Sequence, residues 1–153
     1  VKLAKVNIVA RGKYTILISG PVGEVESALR AGVELAKDTV IHNFILRNVH
    51  QQVLDSLDKR RPVEALDAVG IIETKEAIPA IQAADAAAKS ANVHLLETKA
   101  VVGGGKGYVS MTGEVGAVRT AVGAGIQAIP KAMLVSHVVI PQPDTQLLGT
   151  LGK

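Results

Sequence analysis

The chain has 153 residues, 48% of them aliphatic or aromatic, and a mean hydropathy of +0.29, so ample apolar surface is available to bury and disorder is excluded. Cysteine and Trp are absent and the aromatics are Tyr14, Phe44 and Tyr108, which excludes disulfides, thiolate-held clusters, zinc ribbons and thiol catalysis and leaves an aliphatic core held by packing. A balance of 17 Lys and Arg against 14 Asp and Glu is only mildly basic; without stacking aromatics it argues against nucleic-acid binding. No apolar run approaches the roughly 18 residues of a membrane helix, and no leader-like segment opens the sequence. The expectation is a soluble cytoplasmic chain, with no membrane partner, whose apolar excess is covered by other subunits.

In chain order, residues 3–9 and 14–19 (YTILIS) read as strands on either side of Ala10-Arg11-Gly12-Lys13. Val22, Val25, Ala28, Leu29, Gly32, Val33 and Ala36 then recur at helical spacing. Residues 41–47 read as a further strand and 51–57 as a short helix, before the charged, Pro-containing stretch 58–64 (DKRRPVE). A strand at 68–73 leads to a helix at 77–91, with Pro79 in its first turn. Residues 95–102 and 108–112 are strands around Gly103-Gly104-Gly105-Lys106, followed by a helix from Val115 to Ile129. The strand at 134–140 is stopped by Pro141 and Pro143, which cannot donate to a ladder, and a short helix at 145–151 closes the chain.

Residues 2–60 align without a gap on residues 95–153 at an offset of 93. Val9, Gly12 and Lys13 face Val102, Gly105 and Lys106; the helix stripe from Val22 to Ala36 faces Val115, Val118, Ala121, Val122, Gly125, Ile126 and Ile129. The second copy also owns residues 66–93, whose counterpart would fall at positions −27 to 0, so the expectation is a first domain lacking its first strand and helix. The predicted domains are 1–60 and 66–153 with a linker at 61–65. The complete unit reads β-α-β-β-α-β plus a terminal helix, an α+β class with a ferredoxin-like antiparallel sheet and helices on one face.

The segments AVGIIETK (68–75), AADAAAKSANV (83–93), GGG (103–105), GEVGAV (113–118) and VVIPQP (138–143) occur in this order and spacing, and together they resemble the bacterial microcompartment shell domain. The resemblance spans nearly the whole chain and is to tandem-domain shell proteins. It implies a homotrimer that acts as a pseudohexameric tile with a central pore, packed edge to edge with other shell proteins in a cytoplasmic microcompartment. It further implies passage of small metabolites and no catalytic residues. Successive glycines bring backbone close to an axis without a Cβ in the way. By motif match Gly103, Gly104 and Gly105 fall on the family's pore loop, and the repeat places Ala10, Arg11 and Gly12 on the same loop of the first domain. Lys13 and Lys106 follow, so the implied opening is ringed by Arg and Lys and favours anions. Gly-Lys equally suits an exposed hairpin turn. Lys89 matches the family's edge lysine, near Asn92, and equally suits the last turn of a helix. Gln142 stands where the family usually has a basic residue, which implies a weaker or differently partnered edge there.

Other chemistries fit poorly. The stretch 123–128 (GAGIQA) has the letters of a dinucleotide fingerprint but lies inside a helical pattern, and Gly105-Lys106 lacks the rest of a P-loop. His42, His50, His94 and His137 are dispersed, so no metal is expected. His137, alternating with apolar residues, reads as an exposed face residue. Glu73, Asp85 and Glu97 lack a paired nucleophile and read as structural or solvated carboxylates. No cofactor is implied; the pore neighbourhood 9–13 has no sulfur ligand for the cluster that some tandem shell proteins hold. The competing reading is a trimeric ferredoxin-like module that binds a small anionic effector at its Gly-Lys loops.

Overall fold

The computed structural model describes residues 1–102 and 104–151; the side chains of Arg11, Val101 and Val102 are outside the described set. The chain divides into two compact units, Val1–Asn48 and Val49–Lys153.

In the first unit, β1 (Lys2–Val9) and β2 (Lys13–Ser19) form an antiparallel hairpin closed by the pair Val9 and Lys13. A single 3-10 turn, Ala10–Gly12, joins them. Helix α1 (Val22–Ala36) follows, and none of its residues is buried. Residues 41–47, expected as a strand, carry no strand. Their repeat counterpart, β6 (Leu134–Ile140), pairs with β3 (Ala68–Thr74), whereas no strand among the described residues pairs with 41–47. An apolar run alone does not make a strand; its backbone groups need a ladder partner.

The second unit begins with α2 (Gln51–Ser56), capped by His50, whose Nδ1 accepts from the Gln52 amide at 3.3 Å. After β3 come α3 (Ala77–Ser90), β4 (His94–Val102), β5 (Lys106–Gly113), α4 (Val115–Gln127), β6, and α5 (Leu148–Leu151) behind a 3-10 turn at Thr145–Leu147. The sheet order is β4-β5-β3-β6, all antiparallel, the ferredoxin-like order expected for β-α-β-β-α-β. Both α3 and α4 pack on one face. Ile72, Val109 and Met111 of the sheet and Val118 of α4 are fully buried, as are Leu95 and Leu96 of β4, each stabilising by about 1.5–3 kcal/mol.

Small residues set how closely the helices approach. Ala80, Ala83, Ala84 and Ala87 of α3 have no exposed surface. A Cβ on Gly125 of α4 would sit 2.6 Å from Ile72 Cδ1 and 3.1 Å from the Ala83 carbonyl oxygen. The repeat-equivalent Gly32 of α1 has nothing within 4 Å of that position. The same stripe is therefore a buried seam in one copy and open in the other.

Residues after α2 run along β4. Leu57 bridges Thr98 in parallel, the Asp58 amide donates to Thr98 O at 2.8 Å, and the Arg61 amide donates to Leu96 O at 2.7 Å. Gln52 extends this edge: its side-chain amide donates to Val93 O and its Oε1 accepts from the Leu95 amide, both at 2.9 Å. The β4 edge, which would otherwise invite pairing with another chain, is thus partly covered by residues 52–61.

Candidate functional site

The hairpin turns carry matching backbone. Gly12 (φ 74°) and Gly105 (φ 85°), aligned by the repeat, are both left-handed, as is Gly104 (φ 84°). A Cβ on Gly12 or Gly104 would meet nothing within 4 Å, so backbone conformation rather than crowding requires glycine there. Lys13 opens β2 and Lys106 opens β5. Ala10 lies in the 3-10 turn. Gly103 and the side chain of Arg11, both expected in the pore loop, lie outside the described residues.

Within the second unit, strand register separates the turn residues from Lys89, Asn92 and Gln142. Val102 pairs with Lys106 at one end of the second unit's sheet, and Thr74 with Gly107 beside it. Helix α3 starts just past that end and runs back along the sheet. Lys89 is in its last turn, and Asn92 leads into β4 at His94. At this far end His94 pairs with Thr112, Ala68 with Gly113 and Val69 with Ile140. Gln142 follows two residues beyond Ile140. Lys89, Asn92 and Gln142 are all exposed, and the nine residues of β4 separate them from the glycine turn by about 30 Å.

Three carboxylates are more engaged than their sequence context indicates. Asp85, its side chain only 6% exposed, accepts Lys89 Nζ at 2.6 Å on Oδ2 and the His50 amide at 2.8 Å on Oδ1. Glu73 accepts Lys106 Nζ at 3.0 Å and Ser136 Oγ at 3.3 Å. Lys106 is thus not a free cation at the turn. Glu97, also nearly buried, accepts from the Tyr108 hydroxyl and lies 3.5 Å from both Arg60 Nη2 and Lys99 Nζ. Burial, followed by the Glu97 hydrogen bond and charge, pushes the Tyr108 phenol up to about 12. In register, Lys99, Tyr108, Glu73 and Ser136 form one row across all four strands.

The histidines do not converge. His50 caps α2, His137 is exposed on β6, His42 packs near Phe44 in the first unit, and His94 begins β4. Burial, then the nearby Arg61 charge, lowers the His94 pKa. Among the described residues no three His, Asp or Glu side chains gather as metal ligands, and no helix is long and apolar enough to cross a membrane.

The BMC domain pattern matches residues 1–49 and 68–143, most of the chain in two segments. The chain belongs to the BMC-domain family. Its two segments make it a tandem-domain shell protein of bacterial microcompartments. The bacterial microcompartment shell protein PduT of Citrobacter freundii is 37% identical over 153 residues, 95% of this chain and 83% of that protein. The carboxysome shell protein CsoS1 of Prochlorococcus marinus is 42% identical over 87 residues, which is 56% of this BMC chain and 84% of that shorter protein. A crystal structure of a microcompartment protein from Desulfitobacterium hafniense superposes with a TM-score of 0.82 at 43% identity, covering 95% of this chain and 82% of that one. The two aligned glycine turns and the two copies of the strand-turn-strand-helix unit are how the duplicated BMC segments express themselves in structure.

Proposed function

We propose that three copies of this shell protein close into a pseudohexameric tile with a narrow central pore, and that tiles pack edge to edge with other shell proteins in the microcompartment wall. In this reading residues 1–60 and 66–153 are the two domains, joined at 61–65. Ala10, Arg11, Gly12, Lys13, Gly103, Gly104, Gly105 and Lys106 line the pore; Lys89, Asn92 and Gln142 form the tile edge. The chain catalyses nothing and holds no cofactor: its chemistry is assembly within the cell and selective passage of small polar or anionic metabolites.

The observation that carries this reading lies in the second unit, where Gly104, Gly105 and Lys106 sit at one end of the sheet and Lys89, Asn92 and Gln142 at the other. A tile needs its turns at an axis and its contact residues at the rim, about a strand's length apart. The repeat of the left-handed turn at Gly12 and Gly105 supports a ring in which the two domains alternate. Pairing of Lys106 with Glu73 tempers the positive charge that Lys106 brings to this pore.

Light-scattering mass determination followed by negative-stain microscopy tests the proposal. Trimers that grow into sheets or tubes of six-sided discs are the expected result. Discrete trimers that never tile, and that tighten when an anionic metabolite is added, would favour an effector-binding module instead. Arg11→Ala is expected to change anion passage while leaving trimers and sheets intact; loss of the trimer in that variant would contradict the pore assignment.

A further inference from the structure

We propose that Asp85 is the positioning residue for the edge lysine, holding the Lys89 ammonium in place before two tiles meet. The proposal rests on the tile reading above and adds to it a residue that acts through Lys89.

Asp85 is out of place by composition. Ile81 and Ala88, four and three places away on the helix, and the adjacent Ala84 are all apolar and buried, and it is itself 4% exposed. A carboxylate so placed is strongly destabilising unless each oxygen is satisfied. Both are: Oδ2 takes the Lys89 ammonium at 2.6 Å and Oδ1 takes the His50 amide at 2.8 Å. The second bond prevents the carboxylate from turning, because the His50 amide belongs to the cap of α2, and α2 is anchored by buried Val53 and Ser56. Lys89 lies one helical turn on, in the favourable acid-before-base order, and its side chain is 39% exposed. Its ammonium is therefore pinned from inside the fold while much of the side chain still faces outward.

A lysine on an exposed helix end samples many rotamers, and a contact must first order it. Pinning the ammonium to a buried, doubly held carboxylate meets that ordering cost during folding rather than at each tile contact. An Asp85 that served only to cap α2 would need no lysine one turn away, and a Lys89 that served only the helix terminus would need no buried partner.

A double-mutant cycle on the whole chain tests this. Asp85→Asn keeps the shape and the acceptor for the His50 amide but loses the charge that holds Lys89; Lys89→Met removes the lysine. The critical concentration for sheet formation is read by pelleting and negative-stain microscopy, with trimer mass and melting temperature recorded for each variant. One partly exposed pair is worth a factor of about two to five, and repetition around a tile is expected to raise the critical concentration about tenfold in either single variant. The double variant is expected to match Lys89→Met, with trimers retained throughout. Wild-type sheets with Asp85→Asn tiling equally well overturn this proposal alone, as does an effect of Asp85→Asn that persists undiminished beside Lys89→Met. If Asp85→Asn loses the trimer, the same cycle with Asp85→Glu decides, and additivity there overturns the proposal equally. A wild-type chain that never tiles sinks the tile reading and this proposal with it.

Discussion

At the scale of single residues, what matters is which charges are already spent within the fold. Tyr108 donates to the nearly buried Glu97, and its phenol is pushed up to about 12. The folded state therefore holds this proton at pH values where the unfolded chain has released it. The resulting stability is fully present below pH of about 10 and is lost as pH rises through about 12. In a Tyr14→Phe background, phenolate absorbance should appear near pH 12; a midpoint near 10 would show that the Glu97 contact does not form in solution. Glu73 is a second case. Its pair with Lys106 is 3.0 Å long, with side chains 31% and 43% exposed, so Glu73→Gln should cost under about 1 kcal/mol by thermal melting. It also frees the Lys106 charge. If Lys106 lines the pore, the reversal potential of tiles in a planar bilayer should shift toward anions, and an unchanged potential would remove Lys106 from the lining. For the Asp85 and Lys89 pair the four-residue helical spacing is local and visible in sequence, but the burial of Asp85 that gives the pair its role is not. The Glu73 and Lys106 pair spans 33 residues and depends on β3 lying beside β5; periodicity carries no sign of it.

At the scale of elements, the helices and hairpins follow their sequence patterns closely because local signals agree. Glu114 caps α4, accepting from the Gly116 and Ala117 amides at 2.9 and 3.1 Å, and those bonds lower its pKa. Prolines at 141 and 143 follow the end of β6 as expected. The expected strand at 41–47 is the exception: its apolar run has no ladder partner among the described residues. The small-residue seam gives a paired prediction. Gly125→Ala drives a methyl group to 2.6 Å from the buried Ile72 side chain. Overpacking there should outweigh the helix-propensity gain, with a net loss of about 1–2 kcal/mol. Gly32→Ala in the 153-residue chain meets nothing within 4 Å and should be neutral or stabilise by up to about 1 kcal/mol. Chemical denaturation of the two variants checks the contrast; equal effects would mean that α1 is packed as α4 is.

At the scale of the whole molecule, burial is uneven between the two units. The second has a continuous aliphatic core, whereas Leu3, Ile8, Ile16 and Leu35 of the first are all 60% exposed or more. A shell protein that leaves so much aliphatic surface open in one chain is suited to bury it on assembly. Hydrogen exchange should therefore show α1, β1 and β2 slowing markedly between dilute chain and assembled tile, with α3 and β5 little changed. Uniform protection in both states would argue that the first unit's apolar surface is not an assembly surface.

The amino-acid order by itself determined the duplication, the succession of elements, the aliphatic character of the core and the positions that must be glycine in the two turns, because these depend on neighbours a few residues apart or on identity at a constant offset. Only the tertiary structure decided that 41–47 has no ladder partner among the described residues, that residues after α2 line the β4 edge, that Lys106 is paired, and that Asp85 is buried between Lys89 and His50. Each of those outcomes is a contact or a missing contact between distant segments, and its free energy exists only once burial has removed the competing water.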